Sequence, residues 1–92
     1  MEILEEIYRV IQDRMENPRE GSYVCGLVDR GLDAVLAKIE EESGEVLEAA
    51  RIKDRGELIH EVADLLFHVL VLLGYKGVTP AEIEEELKRR RR

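Results

Sequence analysis

Glu61-Val62-Ala63-Asp64-Leu65-Leu66-Phe67-His68-Val69-Leu70-Val71-Leu72-Leu73 is the stretch that decides the fold. From Val62 to Leu73 apolar side chains fall on nearly every side of a helical wheel, the pattern of a helix surrounded by other helices. Only Asp64 and His68 interrupt the run, which is too short for a membrane span. The spacing predicts a helix over about Glu57 to Leu73, broken by Gly74 and Gly77. Asp54-Arg55-Gly56 forms the turn before it. A second long helix, about Leu32 to Lys53, precedes that turn and places Leu32, Val35, Leu36, Ile39, Val46 and Ala50 on its core side. Further out, a helix from about Glu2 to Glu16 ends at Asn17-Pro18, because the residue before a proline is pushed out of the α region. Ser22 caps a short helix, Tyr23 to Arg30, which Gly31 stops. Thr79-Pro80-Ala81-Glu82 reads as a capping box with proline at the first position of the last helix. The expected architecture is an all-α antiparallel bundle of four to five helices.

The composition agrees. Ninety-two residues make one domain, expected over residues 1–92. A hydrophobic content of 45% argues against disorder. Four aromatics, no Trp and few β-branched residues argue against a sheet protein. The net charge of -7 argues against a nucleic-acid partner. The acidic start, MEILEEIYRV, lacks the basic region of a signal peptide, and no membrane partner is expected. Cys25 is the only cysteine, which suits a reducing, cytoplasmic setting. The basic run Arg89 to Arg92 reads as a complement to its helix dipole, with a phosphate-binding tail as the alternative.

One chain of this size cannot cover a helix that is apolar on all sides, and exposed apolar patches mark interfaces. A homodimer completing the bundle is therefore expected.

The acids form a pattern of their own. Glu40, Glu41, Glu42 and Glu45 crowd one stretch, with only Lys38 close by as an intrahelical counter-charge. Like charges at i,i+3 and i,i+4 repel, and a bound cation removes that cost. On the next helix Glu61, Asp64 and His68 share a stripe, and an acid in an apolar helix calls for a partner or a metal. With the two helices antiparallel, Glu41, Glu42 and Glu45 face Glu61 and Asp64. Five carboxylates and no thiolate make a hard, oxygen-rich site suited to Mg²⁺, with Mn²⁺ as the alternative. The expected chemistry is metal-assisted displacement at phosphorus. His68, at i+4 from Asp64, is expected to orient that carboxylate from outside the ligand shell.

Glu41-Glu42-Ser43-Gly44-Glu45 followed by Glu61-Val62-Ala63-Asp64 resembles the EExxE…ExxD signature of the all-α, MazG-like nucleoside triphosphate pyrophosphohydrolases. Ser22-Tyr23, Gly31, Lys38, Ala49 and the run from Asp64 to Leu73 resemble, more narrowly, the phosphoribosyl-ATP pyrophosphohydrolases. That resemblance spans roughly Ser22 to Leu87. It implies Mg²⁺-dependent hydrolysis of phosphoribosyl-ATP to phosphoribosyl-AMP and pyrophosphate, the second step of histidine biosynthesis, by a homodimer. It assigns Glu41, Glu42, Glu45, Glu61 and Asp64 to the metal and the catalytic water. It assigns Lys38, Ser22 and Tyr23 to the substrate. Glu40, where the family often has glycine, and Val24, where threonine is frequent, depart from the pattern without removing a ligand.

Three rivals remain. A house-cleaning pyrophosphohydrolase of other nucleoside triphosphates would share the metal chemistry. A di-iron bundle is suggested by the ExxH element Glu57-Leu58-Ile59-His60. A non-catalytic helical module would need none of the acids. Arg30 and Arg51 are further candidates for phosphate contact.

Overall fold

The computed structural model describes residues 1–91; Arg92, the last of the basic run, lies outside the described residues. Five helices follow one another: α1 (Glu2–Glu16), α2 (Tyr23–Asp29), α3 (Leu32–Ile52), α4 (Arg55–Lys76) and α5 (Pro80–Arg90). No strand occurs among the described residues. Helices α3 and α4 form an antiparallel hairpin with the most extensive packing in the molecule, and α1 lies across α4.

The local signals act as the sequence predicts at most helix ends. Ser22 Oγ accepts from the Cys25 backbone N–H and caps α2. Thr79 and Glu82 close a reciprocal capping box at α5, with Pro80 in the first turn. The buried Cys25 thiol donates to the Arg14 carbonyl at 3.1 Å and accepts from the Arg19 N–H at 3.4 Å, which ties the α1–α2 loop down.

Helix α4 is longer than expected at both ends. Asp54 is its N-cap, with Oδ1 accepting from the Glu57 N–H at 2.9 Å, so Arg55 and Gly56 belong to the helix rather than to the turn. Gly74 does not break it. A Cβ there would meet Ile11 Cγ2 at 3.1 Å and Met15 Sδ at 3.5 Å, so glycine serves the close approach of α1. The helix ends at Gly77, which adopts φ 72°, with the Val78 N–H returning to the Leu73 carbonyl at 2.9 Å. By length and composition α4 could cross a membrane (mean hydropathy 1.6), but in this fold α1 and α3 pack on it.

The inner stripe of α3 also differs. Val35, Glu42 and Ala49 are buried, with Ile39 and Val46 half-buried between them, a four-three spacing that faces one neighbouring helix throughout. Leu36, at 42% exposure, and Ala50 point away from the core. Ranking a wheel by apolar character misplaces the face because one inward position belongs to a glutamate.

Tyr8, Ile11, Leu27, Val35, Leu70 and Val71 form the centre of the core, where α1 to α4 meet. Much apolar surface stays uncovered. Ile59, Val62 and Leu66 of α4, with Ile83 and Leu87 of α5, are exposed. Between α1, α4 and α5 runs an apolar groove of about 330 Å³. The radius of gyration is 14.3 Å, against about 12 Å for a compact chain of this length. One chain alone is thus a spread, incompletely closed bundle. On α5, Arg89 and Arg90 pair with Glu86 on their own helix.

Candidate metal and active site

The α3–α4 hairpin builds the site. On α4, Glu61 and Asp64 stand one turn apart, both half-buried. Across the turn, α3 carries Glu42, which is buried, and Glu45, which is exposed. The Glu61 carboxyl is raised above its ordinary value, first by burial and then by the charge of Glu45, with Glu42 and Asp64 adding to it against the downward pull of His60. The charges of Glu42 and Glu45 on α3 thus reach Glu61 on α4.

Glu42 is the buried member, with 7% of its surface exposed. Lys38 lies 3.4 Å from its Oε1 and 3.3 Å from Glu41 Oε2. Burial pulls the Lys38 ammonium down, but hydrogen bonds to Glu41 and Glu42 and the nearby charges of Tyr23 and Glu41 outweigh it and leave the group raised. Glu41 is the most exposed of the α3 acids paired with Lys38, and it sits at the outer edge of the cluster.

The structure adds His60. Its Nε2 lies 3.3 Å from Asp64 Oδ2, and His60, Glu61 and Asp64 offer ligand atoms within 4.8 Å of one another, a grouping of potential metal ligands among the described residues. The i,i+4 spacing of His60 and Asp64 was the available signal. Glu57, the other half of the ExxH element, is exposed at the helix start and does not join that grouping.

His68 takes a different partner from the one expected. Its Nδ1 lies 2.8 Å from the main-chain carbonyl of Asp64, not from the carboxylate, and its Nε2 lies 2.7 Å from the Tyr23 hydroxyl. His68 is buried, and the Tyr23 and Phe67 rings flank it edge to face. Tyr23 is thus pinned by its tip while half of its surface stays exposed. Ser22 is engaged as the α2 cap. Arg30 and Arg51 are exposed.

A carboxylate-rich set of this kind, with one imidazole at its edge, fits a hard divalent cation. The mutual repulsion at Glu61 is the cost such a cation removes.

Comparison with known proteins gives one answer. A family profile described as Phosphoribosyl-ATP pyrophosphohydrolase matches residues 4–91. A phosphoribosyl-ATP pyrophosphatase of Methanococcoides burtonii is 47% identical over 99% of this chain and 94% of its own. One of Saccharolobus solfataricus is 44% identical over 99% of this chain and 97% of its own. The histidine biosynthesis bifunctional protein HisIE of Thermoanaerobacter pseudethanolicus is 46% identical over 91% of this chain, which spans 39% of that longer protein.

Proposed function

The chain belongs to the phosphoribosyl-ATP pyrophosphohydrolase family, and from that membership we propose how its carboxylate hairpin performs the reaction. The reaction is hydrolysis of phosphoribosyl-ATP to phosphoribosyl-AMP and pyrophosphate in histidine biosynthesis. Water forms a bond to phosphorus, the phosphoanhydride bond breaks, and pyrophosphate leaves.

Glu41, Glu42, Glu45, Glu61 and Asp64 are the residues that would hold Mg²⁺ or Mn²⁺, with His60 at their edge. The cation supplies charge neutralisation for the phosphate oxygens. A carboxylate of the cluster takes the proton of the attacking water. Lys38 is positioned beside the same carboxylates to meet a phosphate oxygen. Ser22 and Tyr23 border the substrate side. What supports this site is the grouping of His60, Glu61 and Asp64 on α4, whose ligand atoms lie within 4.8 Å of one another, with the charges of Glu42 and Glu45 on α3 reaching Glu61.

A second copy of the chain is proposed to cover the groove lined by Leu4, Leu66, Val69, Leu73, Ile83 and Leu87. The loose radius of gyration and the exposed apolar stripe of α4 support it. The buried, unpaired thiol of Cys25 suits a cytoplasmic enzyme.

The test compares pyrophosphate release from phosphoribosyl-ATP and from ordinary nucleoside triphosphates, with and without Mg²⁺. Release confined to phosphoribosyl-ATP and Mg²⁺ is expected. Equal release from ordinary triphosphates would instead assign a house-cleaning role. Glu45→Gln and Asp64→Asn are expected to abolish turnover while circular dichroism stays helical; full activity in both would displace the site.

A further inference from the structure

Tyr23 and His68 lie 45 residues apart in the chain, yet their side chains meet at 2.7 Å. With the His68 ring neutral, the bond pattern around them follows from which atoms can donate. The Asp64 carbonyl oxygen can only accept, so His68 Nδ1 carries the proton that bridges the 2.8 Å between them. In the neutral ring Nε2 is then bare and can only accept. The Tyr23 hydroxyl must therefore donate its proton to His68. Its own oxygen is left with lone pairs and no proton to offer.

We infer that Tyr23 and His68 form a positioning latch for the reaction: the Asp64 carbonyl fixes the ring, the ring fixes the phenol proton, and the phenol oxygen is held as a pure acceptor at the rim of the carboxylate cluster. This rests on the assignment of that cluster as the active site. Several observations support it. The latch joins α2 to α4 one turn beyond Asp64. His68 is buried, and Phe67 and Tyr23 both pack edge to face on it, so the ring has little freedom to turn. Lys38 donates toward Glu41 and sits beside Glu42, which leaves part of its donor capacity for an acceptor on the α2 side. An exposed tyrosine held this firmly is organised for alignment rather than for packing.

Tyr23→Phe removes the donor and keeps the ring. His68→Asn keeps a donor near the Nδ1 position and removes the acceptor at Nε2. Each is expected to lower kcat about tenfold with KM changed less than threefold, on the scale that misalignment of a reacting group costs. Because both break one bond, the double variant is expected to lose no more than either single one. A higher KM with unchanged kcat in Tyr23→Phe would make its hydroxyl a substrate contact and overturn the latch. So would losses that multiply in the double variant. Tyr23 is half exposed, so its phenylalanine variant decides the matter even if His68→Asn fails to fold.

The bond pattern can also be read without substrate. Nitrogen-15 spectra of the His68 ring are expected to show a protonated Nδ1 and a bare Nε2 in the neutral form, with Nε2 shifting in Tyr23→Phe. A protonated Nε2 with a bare Nδ1 would overturn the latch whatever the enzyme hydrolyses. Failure of the unaltered protein to release pyrophosphate would overturn the active-site assignment instead.

Discussion

Replacing Glu61 with glutamine should raise the stability of the metal-free protein and lower that of the metal-loaded one. Burial first, and then the charges of Glu45, Glu42 and Asp64, raise the Glu61 carboxyl against the downward pull of His60. A raised acid holds its proton more tightly in the folded chain than in the unfolded one. Its contribution to stability is therefore present below the ordinary carboxylate range. It is lost as pH climbs through that range to the folded value. At pH 8 without metal, Glu61→Gln escapes this loss and should melt higher than the unaltered protein; near pH 4 the gap should close. Divalent metal reverses the order. Ligand at 100 times its Kd stabilises a protein by about 2.7 kcal/mol. At about 4–8 °C per kcal/mol for a domain of this size, the unaltered protein should gain about 10–20 °C. Glu61→Gln, short of one carboxylate, should gain far less. The assay is thermal melting by circular dichroism at pH 4, 6 and 8, with chelator and with Mg²⁺ or Mn²⁺, at one protein concentration. The reasoning fails if Glu61→Gln melts lower than the unaltered protein at pH 8 in chelator, or if metal raises both equally.

Other perturbations test other parts of the structure. Lys38→Met leaves the buried Glu42 carboxylate without the ammonium 3.4 Å away. Because Lys38 is itself about a quarter exposed, the expected loss is reduced to about 1–3 kcal/mol in urea unfolding at pH 7. Gly74→Ala should destabilise the protein despite alanine's better helix propensity. The added Cβ meets buried Ile11 at 3.1 Å, and overpacking of about 1–3 kcal/mol outweighs a gain of about 1 kcal/mol. A variant that melts higher would show that α1 can shift away. Leu66→Asp, on the exposed stripe of α4, should convert a dimer into a monomer by sedimentation; an unaltered protein that is a clean monomer at micromolar concentration would remove the second copy from the groove.

Some features of this molecule could be read in the sequence because their causes are local. Asn17-Pro18 ends α1, Ser22 caps α2, and the Thr79–Glu82 box starts α5, each through groups within a few residues of one another. The acids proposed for the site can also be picked out in the sequence, since each helix displays its own periodicity. What stayed hidden depends on how one helix lies on another. Gly74 looks like a helix breaker until Ile11 is found against it. The inner face of α3 is set by the rotation that buries Glu42, and apolar ranking discards a glutamate. The partner of His68 comes from α2, and no spacing within α4 points to Tyr23. His60 stands exposed near the start of α4, and its ring still lies against Asp64.

The glutamate buried in the inner stripe of α3 has a consequence for how the hairpin forms. Sliding α3 by one turn along α4 would leave apolar residues facing apolar residues, because α4 is apolar nearly all round. Hydrophobic contact alone discriminates poorly between those alignments. Glu42 does discriminate, since a slip would carry it and Lys38 along α4 toward hydrocarbon, where a charge is costly. A single polar residue in an apolar seam can fix register in this way. The residue that would hold the cation thus also selects the alignment in which there is a cation site to hold, so a misaligned hairpin would be catalytically silent as well as unstable.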